Sequence, residues 1–330
     1  MSKTPGVVSI NIAGRKRVPA SLRTKDVLSV LDLRPEELDR VLDLAASMKR
    51  SRASGQPGPQ ALAGKHVALL FEKPSLRTRS TFVIAVRELG GEVIEPPADV
   101  AFGGRETVED VARNLERWVA GAIVRTFAQE RLELFAAAAS RLRVVNALTD
   151  EEHPCQALAD LMTLGERLGP LPGRTLTFVG DGNNVAASLA HACAMTGVHL
   201  RVASPPGFEL PATVVAAASE VARHGATLAI TNDPEEAVQG ADAVYTDAWA
   251  SMGQESEAAA REQAFEAYQV NEALMAKAQP DALFMHCLPA HRGHEVTDAV
   301  MDSAASVVFD QAENRLHTQK ALLALLMGSQ

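Results

Sequence analysis

His66 to Glu95 reads HVALLFEKPSLRTRSTFVIAVRELGGEVIE, and this stretch decides the fold. His66 to Phe71 is a β-rich apolar run, and Glu72 to Ser75 is a turn. The next residues read as a helix ending at Gly90-Gly91, a doubled stop signal, before Glu92 to Glu95 resumes as a strand. A strand, a crossing helix and a second strand imply a parallel sheet with helices on its faces.

The same rhythm extends in both directions. Upstream, Pro35 to Arg50 is a helix: Pro35 suits its first position, Glu36 and Glu37 its positive end, Lys49 and Arg50 its negative end. Leu38, Val41, Leu42, Ala45 and Met48 give it one apolar face. Ser51 to Gln60 is a polar linker rich in turn residues. Downstream, Thr107 with Asp110 resembles a capping pair opening a helix through Val119. Ala122 to Phe127 and Arg143 to Leu148 read as buried strands with a helix between them. A second series opens with a helix at Pro154 to Leu168. Strands are expected at Thr175 to Val179, His199 to Ala203, Thr227 to Ile230, Ala243 to Thr246 and Ala282 to His286, alternating with helices. Ala312 to Met327 is a final helix long enough to cross back over the molecule.

The expected fold class is α/β, with two domains, each a mostly parallel sheet flanked by helices. Residues 1–22 read as an arm, 23–152 as one domain and 153–315 as the other. A C-terminal helix, about 316–330, packs back on the first domain.

Composition sets outer limits. At roughly 150 residues per domain, 330 residues suggest about two domains. The 32 basic and 41 acidic residues give a net charge of −9, which offers no footprint for nucleic acid or an anionic membrane surface. Hydrophobic residues at 47% and charged residues at 22% exclude wholesale disorder. The three cysteines, Cys155, Cys193 and Cys287, are odd in number and far apart, so they build no disulfide framework and favour a reducing compartment. The longest clean apolar run, Ala321 to Met327, is far short of the ~18 residues of a membrane helix. The first residues lack the apolar core of a secretory signal. A cytoplasmic location is expected.

Five segments carry chemistry. Ser75-Leu76-Arg77-Thr78-Arg79 falls where a strand meets a helix, so unpaired N–H groups, hydroxyls and guanidinium forks converge in a pattern suited to an oxyanion. His153 and Gln156 lie at the carboxyl edge of the sheet, with Pro154 opening a helix and Cys155 beside them. Gly180-Asp-Gly-Asn-Asn184 comes after a strand but fails the dinucleotide fingerprint. Val185 holds the third glycine position, and Ala203 runs straight into Ser204-Pro205 with no acid for a ribose. Asn183 and Asn184 offer amides to a polar substrate instead. Asp247 suits a cationic amine, and the Ser251-Met252-Gly253 loop suits closure over it. Cys287, between His286 and Leu288-Pro289, is open to three readings: thiolate nucleophile, hydrogen-bond partner or buried packing. No His, Cys and carboxylate set has a metal-ligand spacing, and no cofactor is expected.

Together and in this order, the five segments resemble the aspartate/ornithine carbamoyltransferase family, from about Thr24 to Met327. The Ser75 to Arg79 and His153 to Gln156 segments resemble carbamoyltransferases generally. Asp247 with Ser251-Met252-Gly253, and His286-Cys-Leu-Pro289, resemble the ornithine-using branch. An Arg-Pro-Leu-type segment is expected instead in aspartate-using relatives. The resemblance implies carbamoyl transfer to ornithine, giving citrulline as a step of arginine biosynthesis, in a trimer or a multiple of trimers with sites at subunit interfaces. It implies that Ser75, Leu76, Arg77, Thr78, Arg125, His153, Gln156, Cys287, Leu288 and Arg315 bind carbamoyl phosphate. Asn184, Asp247, Ser251 and Met252 would bind ornithine, and Arg125, His153, Asp247 and Cys287 would be catalytic.

Two departures stand out. Ala101 occupies a position where the resemblance implies a glutamine reaching a neighbouring subunit, so either Arg105 substitutes for it or the contact is missing. Leu76 replaces the threonine of ornithine-type relatives and resembles acetylornithine-type ones. Putrescine and N-acetylornithine stay open as acceptors, although the Asp247 to Gly253 loop favours a free amino acid and Leu76 does not discriminate. Ala101 alone supports a catalytically silent homologue that binds a phosphorylated metabolite or a partner protein. A nicotinamide-dependent oxidoreductase would need the missing glycine and acid.

Overall fold

The computed structural model describes residues 21–97, 102, 104–250 and 258–328. The first half contains α1 (Pro35–Ala53), β1 (His66–Phe71), α2 (Arg77–Glu88), β2 (Glu92–Ile94), α3 (Val108–Leu115), β3 (Gly121–Arg125), α4 (Gln129–Ala138) and β4 (Arg143–Leu148). The second contains α5 (Pro154–Leu168), β5 (Thr175–Val179), α6 (Asn184–Thr196), β6 (His199–Ala203), α7 (Ala212–Glu220), β7 (Leu228–Thr231), α8 (Pro234–Val238) and β8 (Ala243–Thr246). It closes with α9 (Ala258–Phe265), α10 (Glu272–Met275), β9 (Leu283–His286), α11 (Asp298–Met301) and α12 (Val308–Met327).

The strands form two sheets, in the orders β2-β1-β3-β4 and β7-β6-β5-β8-β9. Every pair in both sheets is parallel. Parallel strands are buried on both faces, which is why β3 and β8 are buried throughout. The strand order reverses direction between β1 and β3 in one sheet and between β5 and β8 in the other. Such switch points leave a crevice beyond the carboxyl ends of the strands, where open α/β sheets take their ligands.

Two long helices bind the halves together. Gly165 ends the buried stretch of α5, whose residues from Pro154 to Leu164 are all buried. α12 packs on α5, α1 and α2 and is buried from Asn314 to Met327. One continuous apolar core runs through α1, α2, α5, α6 and α12 and touches both sheets. Gly121 shows how closely α12 sits: a Cβ there would fall 2.2 Å from the Met327 methyl.

Several element bounds differ from expectation: α1 runs on to Ala53, β2 stops at Ile94, β7 is shifted by one residue to Leu228–Thr231, and β9 starts at Leu283. The helix opened by Thr107, whose side chain does cap Asp110 N–H, stops at Leu115 instead of Val119. Trp118 and Val119 both turn back onto the Leu115 carbonyl, and Ala120 N–H already pairs with His66 at the sheet. β3 runs Gly121–Arg125 and ends two residues early, where its register against β4 slips by one residue between Val124 and Arg125. α12 begins at Val308 instead of Ala312; its cap, Val307, has no capping side chain, so nothing in the sequence marks the start. Residues 1–20 of the expected arm lie outside the described residues.

Candidate active site

The crevices of the two sheets open into one cavity of about 970 Å³. The loop after β1 supplies Ser75 and Leu76, the first turn of α2 supplies Arg77 and Thr78, the end of β3 supplies Arg125, and the start of α5 supplies His153 and Gln156. Asn184 comes from α6, Asp247 from the end of β8, Cys287 and Leu288 from the end of β9, and Arg315 from α12. Ser251, Met252 and Ala101 lie outside the described residues, and Arg105 is exposed. Leu76 caps α2 with its backbone only; its side chain is 77% exposed.

The cavity floor is cationic. Arg125 and Arg315 are buried, and Arg77 stands beside them. Burial, with Arg315 and Arg77 close by, pushes the Arg125 guanidinium down to about 10. Arg77 and Arg315 are lowered chiefly by burial as well. None of the three has a carboxylate within ion-pair distance among the described residues, and each has a buried Nε without a partner. Arg315 donates to Thr78 Oγ1. Burial and the three guanidiniums hold His153 far below the usual imidazole range, so its ring is neutral, with Nδ1 unpartnered. A receptor of this kind is completed by an anion.

The opposite wall is built around Asp247. Its Oδ1 accepts from the Cys287 thiol at 2.9 Å and from Ala248 N–H at 2.8 Å, and its Oδ2 accepts from Asn183 Nδ2 at 2.9 Å. Burial and the Asp247 carboxylate push the Cys287 thiol up well above its ordinary value. Of the three readings open for Cys287, the geometry selects a protonated hydrogen-bond donor. Asp247, His286 and Cys287 also bring ligand atoms within 4.8 Å of one another, a grouping the sequence spacing did not suggest. The His286 ring is engaged at both nitrogens, Nε2 with Glu295 at 3.1 Å and Nδ1 accepting from Leu288 N–H at 2.8 Å, so it has no lone pair to give a metal.

The family's carbamoyl-P binding domain matches residues 25–166, and its Asp/Orn binding domain matches residues 172–326. The chain belongs to the aspartate/ornithine carbamoyltransferase family. An ornithine carbamoyltransferase of Thermosynechococcus vestitus is 50% identical over 94% of this chain and 98% of its own. Among solved structures, the ornithine carbamoyltransferase from Pyrococcus furiosus is 46% identical with a TM-score of 0.90, covering 93% of this chain and 98% of its own. The anabolic ornithine carbamoyltransferase from Campylobacter jejuni is 33% identical with a TM-score of 0.86, covering 92% and 99%.

Within this carbamoyltransferase the glycine turn after β5 has a geometric origin. A Cβ at Gly182 would fall 2.4 Å from Leu210 N. The N-terminus of α6 is closed by Asn183, whose Oδ1 accepts from Val185 and Ala186 N–H, so it presents no free nest to a pyrophosphate. Asn183 was thus undervalued by sequence reasoning: one side chain caps a helix and clamps Asp247. Asn184 reaches across to the Thr149 carbonyl at 2.5 Å. Two further residues gave no sequence signal. Ser188 accepts from His153 N–H at 2.8 Å and donates to the buried Glu152 at 2.8 Å, fixing the turn that carries the imidazole. No spacing rule connects residues so far apart in the chain.

Proposed function

We propose that the chain transfers the carbamoyl group of carbamoyl phosphate to the side-chain amine of L-ornithine, giving L-citrulline and phosphate. The observation that carries this reading is the pairing of an unneutralised three-arginine floor with an Asp247 clamp across one cavity. Ser75, the α2 N-terminus at Leu76, Arg77, Arg125 and Arg315 hold the phosphate, whose dianion supplies the charge the floor lacks. Thr78, Arg125 and neutral His153 donate to the carbamoyl oxygen as negative charge builds there, a contribution of ~3–4 kcal/mol per donor. Gln156 and the Leu288 carbonyl accept from the carbamoyl NH₂.

Asn184, Asp247, Ser251 and Met252 bind ornithine. Its amine, with an ordinary pKa near ~10, must reach its neutral form before its nitrogen lone pair attacks the carbamoyl carbon. Asp247, held by Cys287 and Asn183, positions that nitrogen and draws off its proton. The carbon–oxygen bond to phosphate then breaks, and the second proton, lost from the attacking nitrogen after the new bond forms, leaves with the departing phosphate on the arginines. Juxtaposition of the two substrates supplies much of the rest of the rate.

In the same reading, residues 23–152 form the phosphate-holding domain, 153–315 the amine-holding domain, and 316–330 return to the first. The enzyme is a cytoplasmic homotrimer acting in arginine biosynthesis. Supporting this are three free cysteines, the likeness to the anabolic Campylobacter jejuni relative, and large exposed apolar side chains at Leu76, Trp118, Phe127 and Leu134 in the first half. No helix among the described residues is long and apolar enough to cross a membrane.

The test is product formation from carbamoyl phosphate with ornithine, putrescine or N-acetylornithine as acceptor, beside a light-scattering mass. Preference for ornithine in a particle of three chains is expected. Preference for another amine overturns the Asp247 reading, and no turnover with any acceptor favours a silent homologue.

A further inference from the structure

Gln156 lines the cavity and has a buried amide whose Oε1 has no partner, although its Nε2 is well satisfied. Nε2 donates to Asp160 Oδ1 at 2.8 Å. The same carboxylate oxygen accepts from Gln311 Nε2 at 2.9 Å, and Oδ2 accepts from Tyr245 OH at 3.1 Å. Gln311 is fixed at its other end too, since its Oε1 accepts from His286 N–H at 3.0 Å. Asp160 is fully buried, and among the described residues no cationic side chain bonds to it.

An amide can turn over, exchanging its oxygen and nitrogen, and only its partners decide which way it faces. Turning Gln156 would set its oxygen against a carboxylate oxygen, while turning Gln311 would also set an NH₂ against the His286 N–H. The buried carboxylate therefore leaves Gln156 one orientation, with the acceptor toward the cavity. A neutral donor or an apolar side chain at position 160 would not enforce it.

We propose that Asp160 is the positioning residue that makes the site selective for an acyl phosphate bearing an NH₂ group, by holding the Gln156 carbonyl oxygen toward that group. This rests on the carbamoyl phosphate reading. A site built around a fixed acceptor rejects an analogue that lacks the matching donor, because the acceptor is then left buried and unpaired. Asp160 touches no substrate; it acts through Gln156.

The experiment compares carbamoyl phosphate, as its KM, with acetyl phosphate and inorganic phosphate, as inhibition constants. Acetyl phosphate replaces the NH₂ by CH₃, and phosphate lacks the acyl group altogether. In Asp160→Leu, close in shape but unable to accept, the KM for carbamoyl phosphate rises about tenfold, while both inhibition constants stay within about twofold. Asp160→Asn rescues selectivity: its oxygen can face both glutamines while its NH₂ meets the Tyr245 oxygen. Tyr245→Phe, which removes only the Oδ2 donor, leaves selectivity unchanged. Should Asp160→Leu fail to fold, Asp160→Ala, which adds no bulk, carries the same expectation. Equal weakening of all three ligands would reduce Asp160 to a structural support and overturn the inference, as would unchanged selectivity. Failure of the unaltered enzyme to turn over carbamoyl phosphate is a different outcome and overturns the proposed function itself.

Discussion

A thiol that donates to a carboxylate has a narrow set of tolerated replacements. Cys287 sits 2.9 Å from Asp247 Oδ1 with its thiol pushed well up, so its proton, not its nucleophilicity, is what the site uses. Cys287→Ser, which keeps a donor, should stay within a few-fold of the unaltered kcat/KM for ornithine. Cys287→Ala should lose about tenfold, the cost of one missing hydrogen bond to a charged group. Greater damage from serine than from alanine in steady-state assays would contradict this. The two walls should also separate kinetically. Arg77→Ala should raise the KM for carbamoyl phosphate by about a hundredfold or more, since a charge-assisted bond to a dianion is lost. Asp247→Ala should act mainly on the amine, and equal effects of both variants on both substrates would refute the division. At this scale the sequence was informative where chemistry clusters locally, as at Ser75 to Thr78. It was silent where one side chain is set by distant partners, as His153 is by Ser188.

Helix α5 carries both a substrate-facing end and a buried charge, and the charge has a thermodynamic signature. Burial pushes the Asp160 carboxyl up to about 6, against three neutral donors that lower it. A folded-state pKa above the unfolded value means that the native state binds the extra proton between ~3.9 and about 6. The associated stability is present below that window and is lost as pH rises through it. Asp160→Asn removes the ionisation, so its melting temperature should exceed that of the unaltered protein by several degrees at pH 8. The difference should close below pH 4, and a gap independent of pH would count against the assignment. The elements themselves were largely legible: the bounds of β1, β4, α5, β5, β6 and β8 match the readings made from apolar runs and Pro154. Strand order was not, because buried parallel strands are all short apolar runs and any one fits beside any other. The start of α12 was hidden for want of a capping side chain.

The whole molecule joins its two sheets through one apolar core, with α12 spanning from the cavity at Arg315 to the far end of the first sheet at Met327. A ligand held by Arg77 and Arg125 on one side and Arg315 on α12 should therefore stabilise both halves at once. A ligand that binds only the native state adds RT ln(1 + [L]/Kd), about 2.7 kcal/mol at a hundredfold excess over Kd. For inorganic phosphate, the product that matches the cationic floor, this corresponds to a rise of roughly 5 °C in melting temperature. The rise should appear by calorimetry as a shift of one transition, because the shared core leaves no independent unit to melt first. Arg315→Ala should remove most of the shift although Arg315 lies almost at the end of the chain, and so should Arg77→Ala. Two transitions, of which phosphate moves only one, would mean that the halves fold separately and that α12 does not couple them. A phosphate shift surviving in both variants would place the anion elsewhere than on this floor.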